Sequence, residues 1–249
     1  MRRTRDPSTP AVAAASRAEV KDVDCQPTGF APEGALPLAS GRAGVLGGGG
    51  RVIEDGFTAL FDGRSIADWE MVGSGHFVVV DGRLESVPGD DAGLFWCTVP
   101  TPPDFVLRLR WLRWRHEDAS GVFVRFPRPL SGGAPNPSVL AGRRGFEVQI
   151  DEVGIPGATA IHRTGAIFNE PSQAITPQTA LPAAEWNDFE VTAQGQRYGV
   201  LLNGRRVTVF VNADPDRGRA SRPDVPTFVG LQVYPGARVA FRDIRIKAL

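Results

Sequence analysis

The chain of 249 residues has two cysteines, Cys25 and Cys97. Two are too few for a zinc cluster or a disulfide framework. Cys25 falls in a segment that reads as a tail, so no bridge to Cys97 is expected. Net charge is also absent, with 28 basic and 28 acidic residues. That excludes a nucleic-acid binder relying on a basic surface, and a polybasic membrane anchor. Lysine is scarce: Lys21 and Lys247 are the only two, and the other 26 basic residues are arginine. We read this as genome composition rather than chemistry. No apolar run approaches the ~20 residues of a membrane helix. The opening Met1-Arg2-Arg3 has the charge of a signal peptide, but the apolar stretch after it is only Ala11 to Ala15. A cytoplasmic protein is expected on that ground, and secretion only if the start codon lies elsewhere. The chain also lacks a glycine-rich phosphate loop followed by Lys-Ser/Thr, a Gly-x-Ser-x-Gly elbow and a His-Glu-x-x-His helix. Nothing therefore points to a nucleotide enzyme, a serine hydrolase or a zinc protease.

Glycine (29) and proline (21) are abundant, which favours turns and short strands over long helices. Residues 1–53 hold no Trp or Tyr and a single Phe, Phe30, and are rich in Ala, Pro, Gly and Ser. Such a segment buries too little apolar surface to offset its ordering entropy, and a disordered tail is expected there. All five tryptophans follow it, so the folded domain is placed at 54–249.

In that domain the signal is β. Phe77 to Val80 and Leu84 to Ser86 flank Asp81-Gly82, and Gly199 to Leu202 and Val207 to Phe210 flank Asn203-Gly204. Both dipeptides are two-residue hairpin signatures. Phe105 to Trp111, Phe146 to Asp151 and Phe189 to Ala193 alternate. Gly121 to Phe126, Val229 to Val233 and Val239 to Ile246 read as further strands. No long window shows a 3.6-residue period. Many antiparallel strands at short spacing predict an all-β, two-sheet jelly-roll sandwich.

Alternation sends Phe146, Val148 and Ile150 to one face and Glu147, Gln149 and Asp151 to the other. Three polar residues side by side are either a solvated outer face or the lining of a groove. In a groove, two carboxylates and an amide can bind sugar hydroxyls, hold a cation or transfer protons. His162, in a Gly/Ala-rich loop before an apolar segment, is a candidate acid or base near neutral pH, or a hydrogen-bonded loop residue. Arg125, at the end of Gly121 to Val124, is expected opposite Val122, Val124 and Phe126, where its five donors either cap a carboxylate or reach a groove. His76, His116, Arg108, Arg110 and Arg113 read as surface positions. Trp96, Trp111 and Trp114 are core residues or an aromatic platform for a sugar.

Taken in order, these segments resemble the 3-keto-disaccharide hydrolase family. Gly56-Phe57-Thr58-Ala59-Leu60-Phe61-Asp62-Gly63 with Trp69 is similar to its opening. Phe77 to Leu84 is similar to its Trp-x-Val-x-Asp-Gly-x-Leu hairpin, with Phe77 for the tryptophan. Ser120 to Arg125, Gly145 to Ile150, Thr164 to Phe168, Trp186-Asn187 through Asn203-Gly204, Gly230-Leu231-Gln232 and Phe241 to Ile246 complete the set. The likeness spans residues 56 to 249.

The resemblance implies a concanavalin A-like jelly roll acting on glycosides already oxidised at sugar C3. There the C3 ketone acidifies the C2 proton, so the bond at C1 breaks by β-elimination, with or without rehydration, rather than by the oxocarbenium route. It places Glu147, Gln149 and Asp151 on the family's Glu-x-Gln-x-Asp strand, His162 before its Gly-Ala segment, and Arg125 at the end of a strand. Proton transfer is then expected from His162. Glu147 and Asp151 would act as a base, as ligands of a divalent metal ion, or as both. Arg125 and Gln149 would bind substrate. Phe168 replaces a common tyrosine and Tyr234-Pro235-Gly236 a common His-Gly, removing a hydroxyl and an imidazole. The alternative from the same fold is a non-catalytic carbohydrate-binding module.

Overall fold

The computed structural model describes residues 56–129, 136–154, 156–176 and 179–249. The expected tail over 1–53, and Cys25 with it, lies outside the described residues. Strands β1 (Thr58–Ala59), β2 (Trp69–Gly73), β3 (His76–Val80), β4 (Arg83–Val87), β5 (Gly93–Cys97), β6 (Phe105–Arg113) and β7 (Ser120–Phe126) precede helix α1 (Pro137–Arg144). Strands β8 (Phe146–Ile150), β9 (Ala174–Ile175), β10 (Asn187–Gln194), β11 (Arg197–Leu202), β12 (Arg205–Val211), β13 (Phe228–Val233) and β14 (Val239–Ala248) follow, with a 3-10 turn at Ala160–His162.

Two antiparallel sheets form a jelly-roll sandwich. The larger runs β3-β4-β14-β6-β10-β11-β12-β9, with β1 beside β14. The smaller runs β2-β5-β13-β7-β8. Both hairpin dipeptides adopt the left-handed conformation that a two-residue primed turn requires: φ is 46° at Asp81 and 79° at Gly82, and 51° at Asn203 and 77° at Gly204. The last strand, β14, is inserted between β4 and β6, so residues far apart in sequence pair in the middle of the sheet.

The inward residues of β6, β8, β10 and β14 form one core with Val122, Val124, Tyr198 and Phe241. A second cluster, Leu94, Trp96, Phe123, Phe126, Ala141 and Phe228, lies on the other face of the small sheet beneath α1. The small sheet is thus covered on both faces over part of its area. That explains why Leu94-Phe95-Trp96-Cys97 of β5 does not alternate and gives no period-2 signal. Burial also pushes the Cys97 thiol up to about 11. Trp96 and Trp111 are core residues, not an exposed platform. Helix α1 shows a start signal, with Asn136 Oδ1 accepting from the Val139 N–H at 3.2 Å and Pro137 at its first position. At eight residues it is too short to display a helical period and depends on packing.

The structure moves Arg125 away from its expected place. Phe228 pairs with Phe126 and Val229 with Val124, so Arg125 is bulged out of the ladder with φ 55°. The bulge reverses the alternation after Val124. Phe126 joins the cluster under α1, and the Arg125 side chain enters the space between the sheets. Its guanidinium pairs with Asp104 at 2.8 Å and donates to the carbonyls of Pro103 (2.5 Å), Ala193 (3.3 Å) and Gly195. It therefore ties β7 of the small sheet to the ends of β6 and β10 of the large one. Arg113, expected at the surface, is also buried, 3.6 Å from Glu152. Parity along β6 puts it on the inward face of Trp111. Arg108 and Arg110 are half-buried and pair with Glu190 and Asp188 on β10.

Removing this cross-sheet tie leaves three carbonyls and a carboxylate short of a donor. Arg125→Met is expected to lower the unfolding free energy by about 3 kcal/mol or more, measured by urea denaturation. Asp104→Asn should cost less, because the carbonyls still hold the guanidinium. A loss below about 1 kcal/mol for Arg125→Met would show that the tie is not structural.

Candidate active site

Strand β8 is the edge of the small sheet, and a later segment runs along it. The Gln149 N–H donates to Ala166 O (2.9 Å), Gly165 N–H to Gln149 O (2.9 Å) and Phe168 N–H to Glu147 O (2.8 Å). This pairing carries His162 and Phe168 to the polar face of β8. Helix α1 roofs the same face, because the chain passes from α1 into β8 through Gly145 alone. Between them lies a cavity of about 690 Å3. Glu147, Gln149, Asp151 and Gln232 line it from the sheet, and Ser138, Val139, Gly142 and Arg143 from α1. His162, Phe168, Glu170, Arg217 and Tyr234 complete its walls.

Four of the five residues singled out from sequence thus meet in one cavity: Glu147, Gln149, Asp151 and His162. Arg125 does not, for the reason just given. Its side chain serves the fold between the sheets, which removes it from the set that could touch a substrate here. His76 and His116 are exposed and away from the cavity.

Glu147 is buried and its Oε1 has no hydrogen-bond partner among the described residues. The carboxyl lies against β7 where Gly121 has no side chain. A Cβ there would sit 2.0 Å from Oε1 and 2.7 Å from Cδ. Arg217, which lines the same cavity, is already engaged. It pairs with Glu170, donates to Gly142 O (2.8 Å) and Gly145 O (3.0 Å), and lies 4.5 Å over the Phe146 ring. Desolvation without compensation pushes the Glu147 carboxyl up to about 8.

Asp151 is held differently. Its Oδ1 accepts from the N–H groups of Val153 (2.9 Å) and Gly154 (2.7 Å), an Asx turn that orients the carboxylate. Its Oδ2 has no hydrogen bond among the described residues. At His162, the Thr159 N–H donates to Nδ1 at 3.1 Å, and the ring meets Phe168 edge-on at 5.6 Å. Nδ1 is therefore the acceptor, and in the neutral ring Nε2 carries the proton. The rim carries exposed apolar groups: Phe168, Tyr234 and Val139 are 38%, 41% and 43% exposed. Phe168 and Tyr234 are the two departures noted in the sequence. Nothing in the sequence singled out Arg217 or Glu170, because their ion pair joins residues 47 apart.

Among the described residues, no group of three His, Cys, Asp or Glu side chains gathers closely enough to hold a metal ion. The divalent ion anticipated for the ketone thus has no complete ligand set among the described residues.

The architecture is a lectin-type β-sandwich with a polar cavity on its small sheet. A candidate glycosyl hydrolase from Parabacteroides distasonis has this fold, with TM-score 0.59 and 19% identity, over 78% of this chain and 94% of its own. So does the lectin I-B4 of Griffonia simplicifolia, with TM-score 0.54 and 11% identity, over 77% of this chain and 98% of its own. No curated protein sequence matches the chain. The family model of the 3-keto-alpha-glucoside-1,2-lyase-like domain matches residues 56–247, and the chain belongs to that family.

The raised Glu147 has a consequence for stability. Its pKa is higher folded (about 8) than its ordinary value of 4.5. The folded state therefore binds the extra proton, and stability falls as pH rises from 4.5 to 8. Glu147→Gln removes the titration and keeps the shape. Its melting temperature relative to wild type should climb steadily across that window and level off above it. A difference that does not change between pH 5 and pH 9 would mean that the carboxyl is not desolvated.

Proposed function

We propose that this chain cleaves 3-keto-glycosides by β-elimination at the cavity over β8. The observation that carries the reading is the Glu147 carboxyl, buried, unpartnered and raised to about 8, in the same cavity as a histidine whose Nε2 carries a proton. A C–H next to a ketone is a weak acid, and a carboxylate of ordinary basicity removes it slowly. Raising the carboxyl pKa makes its ionised form a stronger base with its midpoint near working pH.

In this reading Glu147 takes the C2 proton, and the electron pair moves onto the C3 oxygen. The enolate then collapses to a C1=C2 double bond and expels the glycosidic oxygen, to which the His162 Nε2–H donates a hydrogen bond and which water protonates; the hydroxide left behind is neutralised by the proton that Glu147 took. Gln149, between the two carboxylates on the same face, donates to the C3 oxygen, where charge develops. Asp151 Oδ2 accepts from a sugar hydroxyl. The products are the free aglycone and a 2-hydroxy-3-keto-glycal. Water added across C1=C2 gives the 3-keto sugar, so elimination and hydration sum to hydrolysis. Membership of the family and the carbohydrate-type fold support a sugar ligand.

The test is a mass-spectrometric time course with purified protein and a 3-keto-glucoside. Wild type should release aglycone, with kcat/KM rising with pH and reaching a plateau above about 8. Glu147→Gln should lower kcat by about 10²–10⁴-fold and His162→Ala by a similar factor, both without unfolding. A rate that falls above pH 8 would instead make Glu147 the acid. No turnover, together with saturable binding of an unoxidised sugar, would make the protein a binding module.

A further inference from the structure

Helix α1 has a second cavity on its other flank. Ser138, Val139, Gly142 and Arg143 face the space over Glu147. Pro137, Leu140, Ala141 and Arg144 face a separate cavity of about 450 Å3. Its apolar wall comes from Leu94, Phe126, Leu140, Ala141 and Val225. Three of these, Leu94, Phe126 and Ala141, belong to the buried cluster under α1, so the wall is rigid.

Arg128, Arg144, Arg219 and Arg222 also line it, against one acidic residue, Asp216. The whole chain carries equal numbers of acids and bases, so this excess is a local arrangement and not a matter of composition. Arg128 lies 5.3 Å over the Trp96 ring. Arg144, Arg219 and Arg222 have no carboxylate partner among the described residues. Arg125 also borders this cavity, but its guanidinium lies between the sheets and pairs with Asp104.

We propose that this cavity is a binding site for a planar aromatic carboxylate. The apolar wall takes the ring, and the unpaired guanidinium forks take the oxyanion in bidentate geometry. A neutral aromatic would leave the cations unpaired, and a small inorganic anion would leave the wall wet. The inference is independent of the chemistry at Glu147, although the two cavities share α1 as a wall.

Calorimetry with the full chain and 1-naphthoate tests it. One site per chain with Kd below about 1 mM is expected, and 1-naphthalenemethanol should bind about tenfold more weakly. The Arg144→Gln/Arg222→Gln double variant should raise the naphthoate Kd about tenfold. Arg143→Gln, one residue away but on the other flank, should change it by less than about twofold. Three results would each overturn the proposal: no saturable binding, equal affinity for the neutral alcohol, or a loss on Arg143→Gln matching that of the double variant. The last would put the acid over Glu147.

Discussion

The Glu147 side chain lies across the backbone of β7 in space that only a glycine at 121 leaves open. That close approach strips water from the carboxyl, and no ion pair replaces it among the described residues. Arg217 is consumed by Glu170 and by the carbonyls at the end of α1. An ionised carboxylate there is expensive, and the group holds its proton instead. The arrangement persists because β8 buries Phe146, Val148 and Ile150 on the opposite face. Each such side chain contributes ~1.5–3 kcal/mol, enough together to fix the strand with one unfavourable carboxyl on its other side.

In the proposed reaction, proton traffic in the cavity follows from backbone geometry as much as from side-chain identity. The Thr159 N–H occupies Nδ1 of His162, so the neutral ring can give a proton only from Nε2. The Glu147 carboxyl accepts a proton readily because burial has raised it. In the proposed reaction the two groups have different roles: Glu147 takes the C2 proton and His162 presents its Nε2–H to the departing oxygen. Asp151, tied into an Asx turn, is the carboxylate that stays available to hydroxyl groups.

Where structure is local, the sequence is legible. The hairpins at Asp81-Gly82 and Asn203-Gly204 need only two residues with positive φ, and their side chains announce it. The strand at 146–150 and its polar face are equally plain, because one face meets the core and the other a cavity. Legibility fails where the physics is not periodic. β5 is apolar throughout because α1 covers its second face, and α1 is too short to show a period of its own. Arg125 fails most sharply. A single bulge inverts the alternation, and no property of Val124-Arg125-Phe126 marks where a strand bulges. The expected tail over 1–53 lies outside the described residues.

The lectin-like fold by itself is compatible with binding or with catalysis, and the distinction turns on what the carboxylates are for. A groove that only binds sugar needs acceptors open to hydroxyl groups, as Asp151 Oδ2 is. It gains nothing from an acceptor removed from water, because the removal weakens the ionised form that would accept. Glu147 is the opposite of a good sugar ligand in this respect: shielded, unpartnered and protonated at neutral pH in the empty site. Its stability cost above pH 4.5 has no counterpart in packing or in an ion pair. Proton transfer is the task for which such a carboxyl is better suited than an exposed one. That is why the burial of a single oxygen, and not the fold, favours the enzyme over the binding module.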